Sequence, residues 1–471
     1  MKERFVILLL SRRWLARGLT AVAGLLSTVL ALAAWERFHA DGANRGFADV
    51  ATAPAGKRSL SVTDLGTVAP GAGPVVAPDG TIYLGTLQGQ LIALHADGSR
   101  FWRRDIAKGQ AIMASPVVGA DGSVYVVGTK QALIRDNRVN PPRTKTVFES
   151  TLHTFTSSGG FVGQTPFPKH GGGGFTTASP NIVRVGGAEV VVVPAVYPNP
   201  LAASVEVRLI GFSSGGAVVV DRRVTLRRGT VTGGGDLFPA IPFCAILPLG
   251  PIVCLICGGP GCDYAPQPAS TGPKPPPPVP GVAVFTFAGG GAPFVILNDG
   301  FHDIVGYTVS SGPVLTETFR FHDEAQRLVS PPMVLADGHT LVGAANGAVV
   351  FAGPNQTKLP PVTGLGPVST APTLTVNGLV VIVESDRLVL LRGAKVLSSA
   401  SLPARSFTVA AASRTHVFVS TTDGLVTFDA DAQKALLTFP WVGGGMSPPV
   451  IGPKGHVYAI ASNILFVFPP P

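Results

Sequence analysis

The chain has 471 residues, of which 46% are hydrophobic and only 13% are charged, with 58 glycines and 43 prolines. This balance excludes a disordered chain, which needs low hydrophobicity and high charge, and it disfavours a helical bundle. The net charge of +9 is dispersed without a basic cluster beyond the first 33 residues, so we expect no nucleic-acid partner. Frequent glycine and proline favour an all-β protein of many short strands and turns.

The first 40 residues predict a hydrophobic signal or anchor helix. A basic pair, Arg12 and Arg13, precedes an apolar run that ends at Ala34, close to the length of a signal-peptide core. Residues 31–33 (Ala-Leu-Ala) form a small-x-small cleavage pattern. The arginine pair resembles a twin-arginine signal, which directs folded proteins for export.

The alternative for this region is an uncleaved anchor in which residues 5–34 attach the chain to the inner membrane, with the arginines on the cytoplasmic side. Both interpretations place the remaining residues outside the cytoplasm. The expected location is therefore the periplasm or the periplasmic face of the inner membrane, and the expected partners are other envelope proteins.

A repeated unit of strand, Asp-Gly turn and strand begins near residue 70, as residues 73–85 and 115–128 illustrate. Asp-Gly predicts a two-residue hairpin turn, because both central residues of that turn adopt positive φ. Proline opens the first strand of several copies, where a missing N–H is tolerated. The predicted copies start near residues 74, 116, 180, 282, 331, 372, 410 and 448.

The spacing of these copies predicts a β-propeller. Several consecutive starts lie about 40 residues apart, the length of one four-stranded propeller blade. Eight starts predict eight blades in a single propeller over residues 41–471, and seven blades is the rival count. The last copy is short, so residues 59–68 are expected to supply its missing strand and close the ring.

Residues 79–102 resemble the pyrroloquinoline-quinone (PQQ)-type propeller repeat, which runs through Gly, an apolar Ala-Leu pair, Asp-Gly and Trp. Residues 116–128 and 415–429 resemble it more distantly. The resemblance implies either a quinone-dependent redox enzyme or a scaffold without quinone, such as the outer-membrane-assembly members.

The residues of the quinone enzymes are not matched in this chain. Those enzymes place adjacent cysteines over the cofactor, a Trp below it and a calcium site beside it, whereas no two cysteines are adjacent here. Trp102 and Trp441 are expected to pack between blades. We therefore predict no PQQ, no catalytic residues and no metal site. A PQQ-dependent oxidoreductase or a degenerate relative stays the alternative function, and a small-ligand sensor with a site in the central funnel is the second.

Residues 229–281 interrupt the repeat and contain all four cysteines. In an exported chain an even number of cysteines predicts disulfides, although a zinc site or an iron–sulfur cluster is an alternative. The disulfide candidates are Cys244, Cys254, Cys257 and Cys262. An apolar run in the same insertion is a candidate contact patch for a partner or a membrane surface. Its residues are Ile246, Leu247, Leu249, Ile252, Val253, Leu255 and Ile256.

Two His-Asp pairs, at 302–303 and 322–323, are the remaining chemical candidates. Their spacing within one blade predicts that they meet at the same end of it. Solvated turn residues are the favoured interpretation, and acid–base or metal chemistry is the alternative. The function predicted from the sequence is a non-enzymatic, extracytoplasmic propeller that acts as a protein-interaction scaffold or as a subunit of an envelope complex.

Overall fold

A computed structural model describes the chain from Trp35 onward, with gaps. The described residues are 35–56, 60–136, 143–170, 173–199, 204–228, 280–287 and 290–471, apart from 346, 348, 353–359, 361, 363, 367, 369, 442–443 and 445–446. These residues contain strands and turns and no α-helix, which confirms the all-β class.

Short strands alternate with turns along the whole described chain. The strands that begin in residues 60–161 are β1 (Leu60–Val62), β2 (Val75–Val76), β3 (Ile82–Gly85), β4 (Gln90–Leu94), β5 (Arg100–Asp105), β6 (Ala111–Ile112), β7 (Val117–Val118), β8 (Val124–Asp136), β9 (Arg143–Phe155) and β10 (Phe161–Pro166). Those that begin in residues 181–349 are β11 (Asn181–Val185), β12 (Ala188–Asn199), β13 (Ser204–Ser213), β14 (Val218–Arg228), β15 (Gly281–Phe285), β16 (Phe294–Asn298), β17 (Asp303–Ser310), β18 (Val314–His322), β19 (Met333–Val334), β20 (Thr340–Gly343) and β21 (Val349–Ala352). The remaining strands are β22 (Thr373–Leu374), β23 (Val380–Val383), β24 (Arg387–Arg392), β25 (Lys395–Ser401), β26 (Ala411–Ala412), β27 (His416–Ser420), β28 (Gly424–Asp429), β29 (Ala435–Pro440), β30 (Val450–Ile451), β31 (Val457–Ala461) and β32 (Ile464–Phe468).

The described strands form eight antiparallel sheets, numbered here in chain order. Sheets 1 to 4 are β2–β5, β6–β10, β11–β14 and β15–β18, and sheets 5 to 7 are β19–β21, β22–β25 and β26–β29. Sheet 8 combines β30–β32 with β1 from the other end of the chain. In seven sheets the first strand in chain order of the repeat begins within two residues of a predicted start. In sheet 2 the strand at the predicted start is β7, and β6 precedes it by five residues or more.

The Asp-Gly turns differ from the prediction in length. In sheet 1, Ala77 N–H donates to Thr81 O at 2.9 Å, which leaves a three-residue loop in which the Gly80 N–H also bonds Ala77 O at 2.9 Å. Gly80 alone has positive φ, at 90°, and Asp79 Oδ1 accepts from Thr81 N–H at 2.8 Å. A two-residue turn is therefore wrong: a proline before Asp fits a type I turn, and glycine takes the left-handed position after it.

Apolar side chains join each sheet to the next around a closed ring. Six buried clusters lie between sheets 1 and 2, 2 and 3, 3 and 4, 4 and 5, 5 and 6, and 6 and 7. A seventh contains Phe418 of sheet 7, Tyr458 of sheet 8 and Leu84 of sheet 1, and so joins the two ends of the series. Strands buried on both faces in this way form a propeller, as predicted.

The ring closes through the strand predicted for that role. In β1, Leu60 pairs with Val467 and Val62 pairs with Leu465, so the N-terminal strand is the outermost strand of the C-terminal sheet. Closure of this kind covers the outer edge of β32 and joins the two ends of the described chain in one sheet. The part of the chain that the structure describes contains no helix long and apolar enough to span a bilayer.

Candidate functional site at the mouth of the axial channel

The first described residues fill the centre of the ring. Residues 35–48, here called the axial segment, pass the innermost strands of sheets 1 to 7 in turn. Six of these strands donate one backbone N–H each to a carbonyl of the axial segment, at 2.5–3.0 Å. The donor and acceptor pairs are Val76 to Trp35, Val118 to Glu36, Val284 to Gly42, Val334 to Ala43, Leu374 to Arg45 and Ala412 to Gly46.

Three polar side chains of the axial segment bind further around the ring. Arg37 Nη1 donates to the carbonyl of Ile182 in sheet 3 at 2.8 Å. Asn44 Nδ2 donates to the carbonyls of Val282 at 3.0 Å and Pro332 at 2.9 Å, in sheet 4 and directly before sheet 5. His39 Nε2 lies 2.9 Å from Thr373 Oγ1 in sheet 6. The chain thus secures the sheets by contacts far apart in sequence.

Burial changes the ionisation of this segment. It raises the pKa of Glu36 and lowers the pKa of Arg37, because the charged forms of both lose hydration in the channel. The same effect lowers the pKa of His39 to about 4, although the Ala410 carbonyl partly opposes it. His39 is therefore neutral near pH 7 and binds as an uncharged imidazole.

A pocket of about 210 Å³ lies at the end of the channel where the innermost strands begin. Phe38 and Asn44 of the axial segment line it together with Met113 and Phe407, and Phe407 is 51% exposed. The lining contains no charged residue. Its hydroxyls and amides bond the protein itself, as when Thr408 Oγ1 donates to Ser420 O. The pocket therefore offers a mainly apolar surface to a neutral group.

Antiparallel order places several other features on the same face as this pocket, here called the mouth face. Each innermost strand begins there, so the second strand ends there, the third begins there and the fourth ends there. Sheets 2 and 3 extend furthest: β8 and β9 have 13 residues each, and β12 has 12, whereas β3 has four. In sheet 3, β12 and β13 continue past the position opposite Asn181, and in sheet 2, β8 and β9 continue past Gly128. Both hairpins therefore extend beyond the innermost strands and project from the mouth face.

The insertion also connects to the mouth face. The chain enters it after Arg228, at the end of the fourth strand of sheet 3, and leaves it before Gly281, which lines the pocket. The four cysteine candidates and the seven-residue apolar patch lie outside the described residues. The disulfides and the contact patch therefore stay predictions.

The two His-Asp pairs do meet, at the mouth-face end of sheet 4. Asp303 pairs with His322 across β17 and β18, and its carboxylate bonds both the His322 imidazole and Arg320 Nη1. This bond raises the pKa of His322. His302 Nδ1 lies 2.9 Å from the backbone oxygens of Asp323 and Gln326, so it supports a turn.

A buried carboxylate completes this cluster. Asp299 accepts from Thr225 Oγ1 at 2.7 Å and from the backbone N–H groups of Phe301 and Asp303. Burial raises its pKa. Among the residues that the structure describes, no three His, Cys, Asp or Glu side chains are arranged to hold a metal ion. The cluster therefore consists of an ion pair and a hydrogen-bonded turn, which stabilise this end of sheet 4.

The tryptophans lie where the sequence predicts. Trp102 packs in the cluster between sheets 1 and 2, and its Nε1 donates to Ser157 O at 2.8 Å. Trp441 packs in the cluster of sheets 7, 8 and 1, stacks on Phe466 and donates to Thr421 O at 3.0 Å. Both rings are structural members of the interfaces between sheets.

Sequence reasoning missed the axial segment, since residues 35–40 read as the end of the leader. Its contacts span up to 371 residues in the chain and follow no period. The one local signal is the change at Trp35-Glu36-Arg37, where the apolar run ends and charged residues begin. Cleavage at the predicted Ala-Leu-Ala pattern would leave the whole segment on the exported chain.

The comparisons with known proteins agree with this architecture. Residues 40–140 match the family described as outer membrane protein assembly factor BamB, over about a fifth of the chain. This match confirms the PQQ-like repeat within residues 40–140. No curated protein matches the chain.

Solved structures of propellers resemble the whole chain at low identity. The C-terminal WD40 domain of Sif2 is 9% identical, with a TM-score of 0.52 over 90% of this chain and 99% of that one. BamB from Moraxella catarrhalis is 13% identical, with a TM-score of 0.39 over 90% and 96%. The Dos1 propeller is 9% identical, with a TM-score of 0.49 over 86% and 93%. At such identities the first of these supports the fold alone.

Proposed function

We propose that this chain is a non-enzymatic, extracytoplasmic scaffold: an eight-bladed propeller that binds partner proteins of the cell envelope through its mouth face. The observation that carries the proposal is the filled axis. Because residues 35–48 occupy the centre of the ring, partners bind at its surface, and the mouth face carries a pocket. The match to an assembly-factor family supports the same role.

The mouth face suits a protein partner because it combines rigid and protruding parts. The long hairpins of sheets 2 and 3 stand beside an apolar pocket whose rim includes the exposed ring of Phe407. Exposed aromatic residues beside a pocket are frequent anchors of protein interfaces. The chain enters and leaves the insertion at this face, and we propose that its apolar run contacts the same partner.

Site-specific crosslinking in intact cells tests the proposal. A photoreactive phenylalanine analogue at Phe407 is expected to form discrete adducts with an envelope protein. The matched position is Phe101, which is 45% exposed on the outer strand of sheet 1, and it is expected to form none. Equal adducts at the two positions, or none at position 407, would contradict binding through the mouth face.

Deletion of residues 229–279 separates the insertion from the rest of this face. If the insertion contacts the partner, the variant folds and loses the adduct at position 407. An unchanged adduct and an unchanged phenotype would restrict the contact to the pocket and hairpins.

Incubation with PQQ and calcium is expected to give neither a quinone absorption band nor dye reduction, and either signal would favour the oxidoreductase alternative.

The pocket supports a second candidate function, a sensor for a small neutral ligand. Its volume of about 210 Å³ and its uncharged lining fit a compact apolar molecule. A thermal-shift screen is expected to find compounds that stabilise the natural chain and do not stabilise Thr177→Trp, which fills the pocket from its wall. A screen without such compounds leaves the scaffold as the function.

A further inference from the structure

We infer that the axial channel is a peptide-binding site whose ligand is the chain's own axial segment, and that this segment binds as a separable peptide. This site lies in the ring itself and involves no partner protein. Residues 35–48 are the ligand, and the innermost strands are the receptor.

The receptor is a circle of backbone donors. Each innermost strand has one edge that no neighbouring strand covers, and six of these edges present an N–H to the axis. Free strand edges bind extended peptides through main-chain hydrogen bonds, which provide affinity without selecting a sequence. The axial segment meets this circle with six carbonyl groups, from Trp35 to Gly46.

Four side chains provide the selectivity that the backbone contacts lack. Trp35 is 1% exposed and packs with the apolar residues of sheets 7, 8 and 1. Arg37 is held by the side chain of Asn181, whose Nδ2 donates back to Gly42 O at 2.9 Å. His39 and Asn44 bond sheets 6, 4 and the entry to sheet 5. An extended peptide with these residues at these spacings is the ligand class that the channel fits.

The character of the buried contacts favours a separable segment over an ordinary core. Three ionisable residues within four positions, Glu36, Arg37 and His39, enter the channel. Burial opposes the charged form of each. Core strands of this ring bury Val, Ile and Leu instead. A segment held by directional hydrogen bonds at a polar axis forms and breaks its contacts as a bound peptide does.

Release of the segment would alter the mouth face. Phe38 and Asn44 line the pocket, and Asn44 also bonds the carbonyls at the entries to sheets 4 and 5. Occupancy of the channel therefore determines whether the pocket exists in the form described above. The link that follows the segment crosses the opposite face, where Thr415 Oγ1 accepts from Thr52 N–H and Pro54 is exposed.

A cut in this link tests the inference on the full chain. A specific protease site is placed at Pro54, the purified protein is cleaved, and the N-terminal fragment is followed by gel filtration. The fragment is expected to stay with the ring. A fluorescent peptide of residues 35–50 in large excess is then expected to replace it, as a rise in anisotropy.

The matched control is the same peptide with Arg37→Ala and Asn44→Ala, which is expected to bind at least tenfold more weakly. If both peptides displace the N-terminal fragment equally well, Arg37 and Asn44 do not determine which peptide the channel binds. A ring that stays folded and neither keeps the fragment nor binds the peptide would overturn the inference, and so would a fragment that no excess of peptide displaces.

Discussion

Asn44 Nδ2 donates a 2.9 Å hydrogen bond to the carbonyl of Pro332, a residue 288 positions further along the chain. The same amide bonds the carbonyl of Val282. One side chain of the axial segment thus ties together the entries to two adjacent sheets, at the floor of the mouth pocket. Contacts of this kind connect the axial segment to the sheets around it.

Replacement of Asn44 is expected to destabilise the protein by about 2–3 kcal/mol, since two buried carbonyls lose their donor. Asn44 has φ of 56°, so Asn44→Gly removes the amide without backbone strain, whereas Asn44→Ala adds about 1 kcal/mol of strain. Urea unfolding measures both variants. The control is Asn377→Ala, at an exposed position, which is expected to change the free energy of unfolding by less than about 0.5 kcal/mol. If Asn44→Gly lowers the free energy of unfolding by no more than the control does, the hydrogen bonds of the Asn44 amide are contradicted.

Gly46 is expected to tolerate no side chain. Its φ is +64°, and a Cβ added there would overlap the imidazole of His39. Gly46→Ala therefore combines backbone strain with a clash in the channel. Gly378 has a similar φ of +73° and nothing near an added Cβ, so Gly378→Ala measures the strain alone, at about 1 kcal/mol. Thermal melting is expected to show a larger drop in Tm for Gly46→Ala than for Gly378→Ala. Equal drops in Tm would contradict close packing around Gly46.

Stability is expected to fall as the pH falls from about 6.5 to about 4. The unfolded chain protonates His39 near pH 6.5, whereas the folded protein keeps it neutral to about pH 4, so the unfolded state binds more protons in this window. His39 accounts for up to about 3 kcal/mol of this loss. His153, buried and with a pKa also lowered to about 4, acts in the same direction.

His39→Asn tests this dependence, because asparagine accepts the φ of 58° found at His39. The variant is expected to lose part of the pH dependence between 6.5 and 4, and His153 contributes to the part that remains. Urea unfolding at several pH values gives the slope for each protein. A variant slope equal to that of the natural chain would show that His39 is not buried as a neutral ring.

If the chain is exported, as proposed, the four cysteines are expected to form two disulfides. Mass spectrometry after alkylation without reduction is therefore expected to show no adduct, and alkylation after reduction is expected to show four. Four adducts without reduction, or a stoichiometric bound zinc, would favour the metal alternative instead. The same mass reports whether the leader ends at Ala33 or is retained.

Local sequence chemistry accounts for most of what could be predicted about the fold. Pro74 before β2 and Asp79-Gly80 after it mark one strand and one turn within a few residues, so the repeat locates the strands without knowledge of the ring. The closing strand was also predictable, since the last repeat lacks one strand and Leu60–Val62 is the unused strand near the other terminus. The turn length was not, because proline and the Asp side chain select a longer loop.

The site was less predictable because its contacts are not local. Asp303 and His322 could be placed together, since both belong to one hairpin and pair directly in its register. The bonds of Arg37, His39 and Asn44 join residues 144 to 371 positions apart. No periodicity or motif in residues 35–48 signals that a ring will close around them.

Hydrogen exchange at the innermost strands tests the central claim most directly. The amides of Val76, Val118, Val284, Val334, Leu374 and Ala412 face the axis and bond the axial segment. They are expected to be protected to a similar degree, as strongly as amides paired within the sheets, and to lose protection together in Asn44→Gly. Exchange of these six amides at the rate of free peptide groups, with the sheets still protected, would show an open channel and contradict the account.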